Sequence, residues 1–303
     1  MSSPFKRFRY AAGGVLIDVL AFITPYIPIP LLYAGLDVIW MLFSPLQWLL
    51  PEVRHNLVAN FSIVFGDSLP KRERRAIARR AVRNLLNVPV ISVYYAHPKN
   101  LTRVLDDITF VGLDHLKQAL ERNSGVIGLG AHIGNFILLN IALAQTDLPF
   151  ITVTKDPRDK NLKERYARWK RRCGLPWIDA DGGAATTKQI LRALRDNSIV
   201  YLISDERKKH DGILVPFFGR PALTAAGPAV LSLRTGAPIV PFFIYEHARH
   251  KHIIEILPSL EVEKTGDHQR DIYLLTEKAN LAISDMIRRH PDQWAWTNPR
   301  WKL

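Results

Sequence analysis

A single cysteine, Cys173, occurs in the 303 residues. That excludes a disulfide framework and a thiolate metal cluster within the chain. No activating partner accompanies the thiol, so a buried or incidental side chain is expected there rather than a nucleophile. Acid is scarce relative to base: 28 Asp and Glu stand against 41 Lys and Arg, a net charge of +13. The excess favours an anionic partner, either nucleic acid or an acidic membrane surface. Neither a P-loop nor a G-x-G-x-x-G stretch opening a βαβ unit is present, and Asp181-Gly182-Gly183 is too short for a nucleotide loop. His247, His250 and His252 share one segment without a carboxylate pattern, so no metal site is expected. No recognised nucleic-acid-binding fold or aromatic-basic strand pattern accompanies the charge, and the anionic surface is the preferred partner.

What the chain does have begins at its start. From Ala11 to Leu50 the only charged side chains are Asp18 and Asp37, after a basic opening in Lys6, Arg7 and Arg9. Pro25, Pro28 and Pro30 split this stretch into two apolar pieces of roughly 14 to 20 residues, near or below the bilayer's hydrocarbon thickness at about 1.5 Å per residue. The expectation is a kinked anchor or a shallow hairpin in the near leaflet, with the basic start on the cytoplasmic side. It lacks the pattern of a cleavable signal. Residues 70–86 then spell a basic amphipathic helix, with Arg72, Arg75, Arg79 and Arg83 among its cations and Ile77, Ala81, Val82 and Leu85 at helical spacing. Beside an apolar anchor it is a surface for anionic head groups.

Beyond residue 105, short apolar runs alternate with helical stretches. Gly125–Gly130, Pro149–Thr154, Ser198–Ser204 and Pro238–Tyr245 read as buried strands. Asn135–Gln145, Leu162–Arg172, Thr187–Asp196, Ala225–Thr235 and Asp271–His290 read as helices. The alternation implies an α/β fold with a central, largely parallel sheet flanked by helices. The chain divides into a membrane-associating helical segment over 1–55 and an α/β domain over 56–303.

The first of these strands ends in Gly128-Leu129-Gly130-Ala131 and hands over to His132, with Gly134 and Asn135 opening a helix. An imidazole is thereby placed at the C-terminal edge of the sheet, where open α/β folds put their ligands. Small neighbours allow close approach of a substrate, and the helix start favours an anion.

The segment Gly130-Ala131-His132-Ile133-Gly134-Asn135-Phe136 resembles the His-x-x-x-x-acid block of the lysophospholipid acyltransferase superfamily. It is closest in kind to the His-Phe-Gly-Asn-Trp-Glu form seen in bacterial lipid A late acyltransferases and in the related phosphatidylinositol mannoside acyltransferases. Other matches follow in family order: Asn56-Leu57 with Phe61 and Phe65; Asp205, where an Asp-Gln pair is usual; Val215-Pro216-Phe217-Phe218-Gly219; Thr224, Gly227 and Pro228; Gly236 to Pro241; and Pro291 to Trp296. The resemblance covers nearly the whole chain.

It implies transfer of an acyl chain from acyl carrier protein or coenzyme A, as co-substrate and without a further cofactor, to a hydroxyl of a lipid acceptor such as a lipid A precursor. The place implied is the cytoplasmic face of a bacterial inner membrane. His132 would act as general base on the hydroxyl.

At the position of the family's acid stands Ile137, with apolar Phe136 and Leu138 on either side. Three readings stay open: a carboxylate from elsewhere, with Asp205 at the end of its own strand the first candidate; an unassisted imidazole; or a catalytically silent homologue that keeps lipid or partner binding. Around the catalytic candidates His132 and Asp205, the substrate-binding set is Asn135, Lys155, Arg158, Arg207 and Thr224. Lys155 and Arg158 follow a strand end and can hold a phosphate. Arg207 belongs to the polar loop Glu206–Gly212, and Thr224 reads as a helix start, where ordinary capping is the alternative.

Overall fold

The computed structural model describes residues 13–15, 18–43, 51–66, 68–208 and 211–301. The basic opening and part of the apolar stretch therefore lie outside the described residues. Within it, residues 18–23 are helical, a 3-10 turn occupies Thr24–Tyr26, and helix α1 runs over Ile29–Phe43. The break falls at Pro25 and Pro28, where ring closure removes backbone donors. Among the described residues no helix is long and apolar enough to cross a membrane. Many apolar side chains here face outward, including Phe22 at 76%, Leu31 at 63% and Met41 at 68% exposure.

Helix α2 (Pro51–Phe65) leads to α3 (Lys71–Tyr95), longer than the basic helix expected because its second half is apolar. Ile77, Ala78, Ala81 and Val82 face the core while Arg72, Arg75, Arg79 and Arg80 stay exposed, the separation a 3.6-residue period demands. Arg83 pairs with Asp37 of α1, and Arg249 reaches the same carboxylate at 2.9 Å.

A short turn, Pro98–Leu101, precedes the α/β region: β1 (Ile108–Val111), α4 (Leu113–Glu121), β2 (Val126–Gly130), α5 (Phe136–Leu143), β3 (Phe150–Thr154), α6 (Lys160–Arg172), β4 (Trp177–Asp179), α7 (Ala184–Arg195) and β5 (Ile199–Ile203). The hairpin β6 (Gly212–Phe217) and β7 (Arg220–Ala225) follows, then α8 (Gly227–Thr235), β8 (Ile239–Ala248), β9 (Lys251–Ile256) and α9 (His268–Arg289). The main sheet has the order β1-β9-β8-β2-β5-β3-β4. Strands β8, β2, β5, β3 and β4 pair in parallel, and β9 turns back antiparallel to β8 with β1 parallel to it. The sheet is thus mixed and largely parallel, with a separate two-stranded sheet from β6 and β7.

Two apolar layers cover the sheet. One collects Ile190, Ala229, Ile283 and Ile287 from α7, α8 and α9; the other collects Leu138, Leu139, Ile141 and Leu143 of α5 with Leu116 of α4. Strand β2 is buried along its whole length, which explains its unbroken apolar run. Its Gly130 carries no side chain because Tyr201 fills that space: a Cβ there would stand 2.0 Å from the Tyr201 hydroxyl.

One sequence expectation is corrected by this topology. Ala225 closes β7 and α8 starts only at Gly227, so Thr224 lies in a strand and not at a helix start. The hairpin is not legible in the sequence because Leu214 to Phe218 reads as one apolar run broken by Pro216, without the Asn-Gly or Asp-Gly turn that marks a hairpin; the chain turns instead at Phe218-Gly219.

Candidate active site

Strands β2 and β5 are parallel neighbours, with Gly130 opposite Ile203. His132 and Asp205 each lie two residues beyond those partners, so the register alone brings both to the same level at the sheet's C-terminal edge. The Asp205 carboxylate accepts from the His132 backbone N–H at 3.0 Å through Oδ2, and its Oδ1 lies 2.8 Å from the ring Nδ1. The Trp294 indole donates to Oδ2 at 2.7 Å. An ionised carboxylate only accepts, so the ring hydrogen sits on Nδ1 and Nε2 keeps its lone pair.

The imidazole loop is clamped from behind. Gly134 donates to the Gln293 carbonyl at 2.8 Å, and the His132 carbonyl accepts from Ala295 at 3.0 Å. At Gly134 the chain takes φ +55°, and a Cβ would lie 2.2 Å from the Ile244 carbonyl oxygen, so only glycine fits between the loop and β8. The Phe136 ring meets the imidazole edge-on, centroids 4.8 Å apart. The tail itself is held by the Asn60 amide, which donates to the carbonyls of Trp296 and Asn298 at 2.7 Å each, and by Phe61, whose ring centroid lies 4.1 Å from that of Trp296.

Burial of His132 works against its charged form, but the charge of Asp205, the hydrogen bond to it and the more distant Glu206 outweigh burial and raise the imidazole pKa above its ordinary 6.5. For Asp205, burial favours the neutral acid, yet the charge of His132 and its hydrogen bonds with His132 and Trp294 hold the carboxyl below its usual range.

Nε2 faces a cavity of about 730 Å³ lined by residues of α5, α6, α7 and α8 and by the ends of β3 and β5. Glu206 Oε1 lies 3.9 Å from Nε2 and is held by the Asn298 amide at 2.9 Å. Ile137 forms part of the cavity wall. The place where the family carries its acid is thus apolar lining here, while Asp205 occupies Nδ1 from the other strand. A wider surface groove of about 870 Å³, with Lys188, Arg195 and Arg234 in its walls, holds neither imidazole nor carboxylate.

The other expected residues fall into two groups. Lys155 and Arg207 line the His132 cavity; Lys155 is paired with Asp181 at 3.0 Å, and Arg207 has a buried Nε without a partner among the described residues. Arg158 stands exposed between β3 and α6, outside the cavity lining. Asn135 is spent on capping: its side-chain oxygen accepts from Leu138 N–H at 2.9 Å and from the Ser92 hydroxyl at 2.9 Å. Thr224 is buried, donates to the Ala222 carbonyl at 3.1 Å and accepts from Arg300 at 2.7 Å. Cys173 is also buried, and its thiol is pushed up to about 12, which keeps it protonated and inert.

Trp294 and Glu206 contribute to the site although neither belongs to the catalytic or substrate-binding set read from the sequence. The ordered block Pro291 to Trp296 was the signal for the first, and the acid in place of the usual Gln after Asp205 for the second.

The fold and the contact between His132 and Asp205 define an α/β protein with a paired imidazole and carboxylate at its strand ends. Over residues 18–303 the chain matches the family described as bacterial lipid A biosynthesis acyltransferase, and it belongs to that family. It is 28% identical over 220 residues to a phosphatidylinositol mannoside acyltransferase of Mycobacterium tuberculosis, covering 72% of this chain and 66% of that protein. It is 25% identical over 194 residues to a lipid A biosynthesis palmitoleoyltransferase of Escherichia coli, covering 63% and 60%. The match spans less than two thirds of the length of either relative.

Proposed function

We propose that the protein transfers a fatty acyl chain from a thioester, on acyl carrier protein or coenzyme A, to a hydroxyl of a lipid acceptor, a lipid A precursor or related glycolipid. The observation that carries this reading is the contact between Asp205 and His132 Nδ1 at 2.8 Å, which leaves Nε2 facing the cavity. Nε2 takes the proton of the acceptor hydroxyl as its oxygen attacks the thioester carbon. The C–S bond then breaks, and the imidazolium returns the proton to the departing thiolate. Asp205 fixes the tautomer and stabilises the imidazolium between the two steps. No acyl-enzyme is needed.

The reading extends to a membrane surface. The outward apolar side chains at residues 19–42, among them Phe22, Leu31 and Met41, form a patch of the kind that marks a lipid or protein contact, and the exposed arginines of α3 supply charge for anionic head groups. The cytoplasmic face of a bacterial inner membrane offers both.

The test is to incubate purified protein with labelled acyl-coenzyme A or acyl carrier protein and a lipid extract. Transfer is expected, and its loss in His132→Ala. Full transfer by that variant sinks the mechanism. Absence of transfer by the parent on either donor favours a silent lipid-binding homologue instead.

A further inference from the structure

Strand β2 ends at Gly130, and its last register pair with β8 sets Leu129 opposite Pro241, yet β8 runs on to Ala248. Beyond Pro241 the edge of β8 that faced β2 has no neighbouring strand. Backbone groups left unpaired inside a protein are costly. At Glu246 a side chain takes the place of the strand. Gln293 Oε1 accepts from the Glu246 N–H at 2.8 Å, and Gln293 Nε2 donates to the Glu246 carbonyl at 2.9 Å. The Glu246 carboxylate is engaged elsewhere, accepting from the His250 N–H at 2.9 Å, so this link runs through the backbone of β8. A primary amide suits it because it carries one acceptor and one donor side by side, as a peptide unit does; an ionised carboxylate of the same shape only accepts.

From this anchor the tail reaches the catalytic pair at three successive residues. The Gln293 carbonyl accepts from the N–H of Gly134, two residues after His132, at 2.8 Å. The Trp294 indole donates to Asp205 Oδ2 at 2.7 Å. The Ala295 N–H donates to the His132 carbonyl at 3.0 Å. Ile133 and Trp294 also form an antiparallel bridge. The imidazole loop and the carboxylate are therefore held by one short segment, and the side chain of its first residue ties that segment to the sheet.

We propose that Gln293 is a positioning residue for acyl transfer: its amide anchors the tail to β8 and thereby sets the His132 ring against Asp205. Gln293 does not line the His132 cavity, so it acts through its neighbours and not on substrate. The kinetic side of the proposal rests on the acyl-transfer reading above; the structural side does not. A misplacement of about 1 Å at a catalytic group can cost as much as a hundredfold in rate.

The experiment compares the parent with Gln293→Glu, which keeps the shape and loses the donor, and Gln293→Met, which loses both groups. In the transfer assay kcat should fall roughly tenfold to a hundredfold in each, with the KM for the donor unchanged because the cavity wall is untouched. The charged groups facing the imidazole are Asp205 and Glu206, and Asp205 is the nearer. Loosening its contact should let the ascending limb of the pH profile move down toward the ordinary 6.5. An unchanged kcat, or a lower kcat with the limb in place, overturns the proposal. A second readout does not depend on turnover: in protein labelled with 15N-histidine, the His132 resonance, assigned by its loss in His132→Ala, should titrate at lower pH in the variants. A titration that stays in place in a variant with a cooperative melt means that Gln293 serves stability alone, and the proposal fails. If Gln293→Met does not fold, the isosteric Gln293→Glu carries the comparison. A lowered titration without any transfer by the parent keeps the anchor and removes the acyltransferase reading.

Discussion

Asp205 holds His132 at two points, the backbone N–H at 3.0 Å and the ring Nδ1 at 2.8 Å, across 73 residues of sequence. One carboxylate thereby fixes both the position of the loop and the tautomer of the ring. Replacing Asp205 by Asn keeps the size and removes the charge. Transfer should fall by roughly 10²- to 10⁴-fold, the range typical of losing an oriented general base.

The pH profile carries the sign of the pairing. The proposed mechanism requires neutral His132, so kcat/KM should rise with pH through a pKa above 6.5 in the parent. In Asp205→Asn that limb should move to lower pH, because burial is no longer opposed by the carboxylate. A limb that stays in place would show that another group titrates. Stability follows the same linkage. The raised His132 pKa contributes fully below about 6.5 and is lost as pH rises through the folded value; the depressed Asp205 pKa contributes above about 3.9 and is lost as pH falls through its folded value. Thermal melts of parent and Asp205→Asn should therefore differ most between about pH 4 and 6.5.

Restoring the family's acid should not help. Ile137 lines the cavity while Nδ1 is already occupied, so Ile137→Glu adds a carboxylate to the cavity wall when the orienting position on the imidazole is already taken by Asp205. Transfer should stay level or fall, and the KM for the donor should rise. A gain in kcat would mean that Asp205 does not orient the base during turnover.

Gly130→Ala tests the close packing under the site. The new methyl would meet the buried Tyr201 ring, whose hydroxyl stands 2.0 Å from the Cβ position. A loss of about 1–3 kcal/mol is expected from such overpacking, read as a lower melting temperature. An unchanged melting temperature would mean that Tyr201 has room to move.

Lys170 tests the support of the Tyr166 wall of the His132 cavity from outside. It is fully buried, pairs with Asp156 at 2.7 Å, and lies over the Tyr166 and Trp177 rings at 4.8 and 4.2 Å. Lys170→Met leaves Asp156 buried with only Lys163 at 3.5 Å, and should cost about 3 kcal/mol in denaturant unfolding. Lys170→Met combined with Asp156→Leu should recover part of it, since the stranded charge is then gone.

Much of this protein is decided by local pattern. The buried run of β2, the small residues after it, the helices over 160–172 and 268–289 and the strand-end position of His132 all follow from periodicity and turn chemistry within a dozen residues. Strands β1 and β4, of four and three residues, are too short for a pattern to show. The site's second half depends on which strands become neighbours. Asp205 meets His132 because β5 pairs with β2 in one register, and Trp294 reaches the same carboxylate because the tail folds back over the imidazole loop. Thr224 leaves the site because a hairpin forms where the sequence suggested a helix start. Strand order and the return of the tail are set by burial shared across the whole chain, so only the tertiary structure could bring the Asp205 carboxylate to His132 while Ile137 lines the cavity.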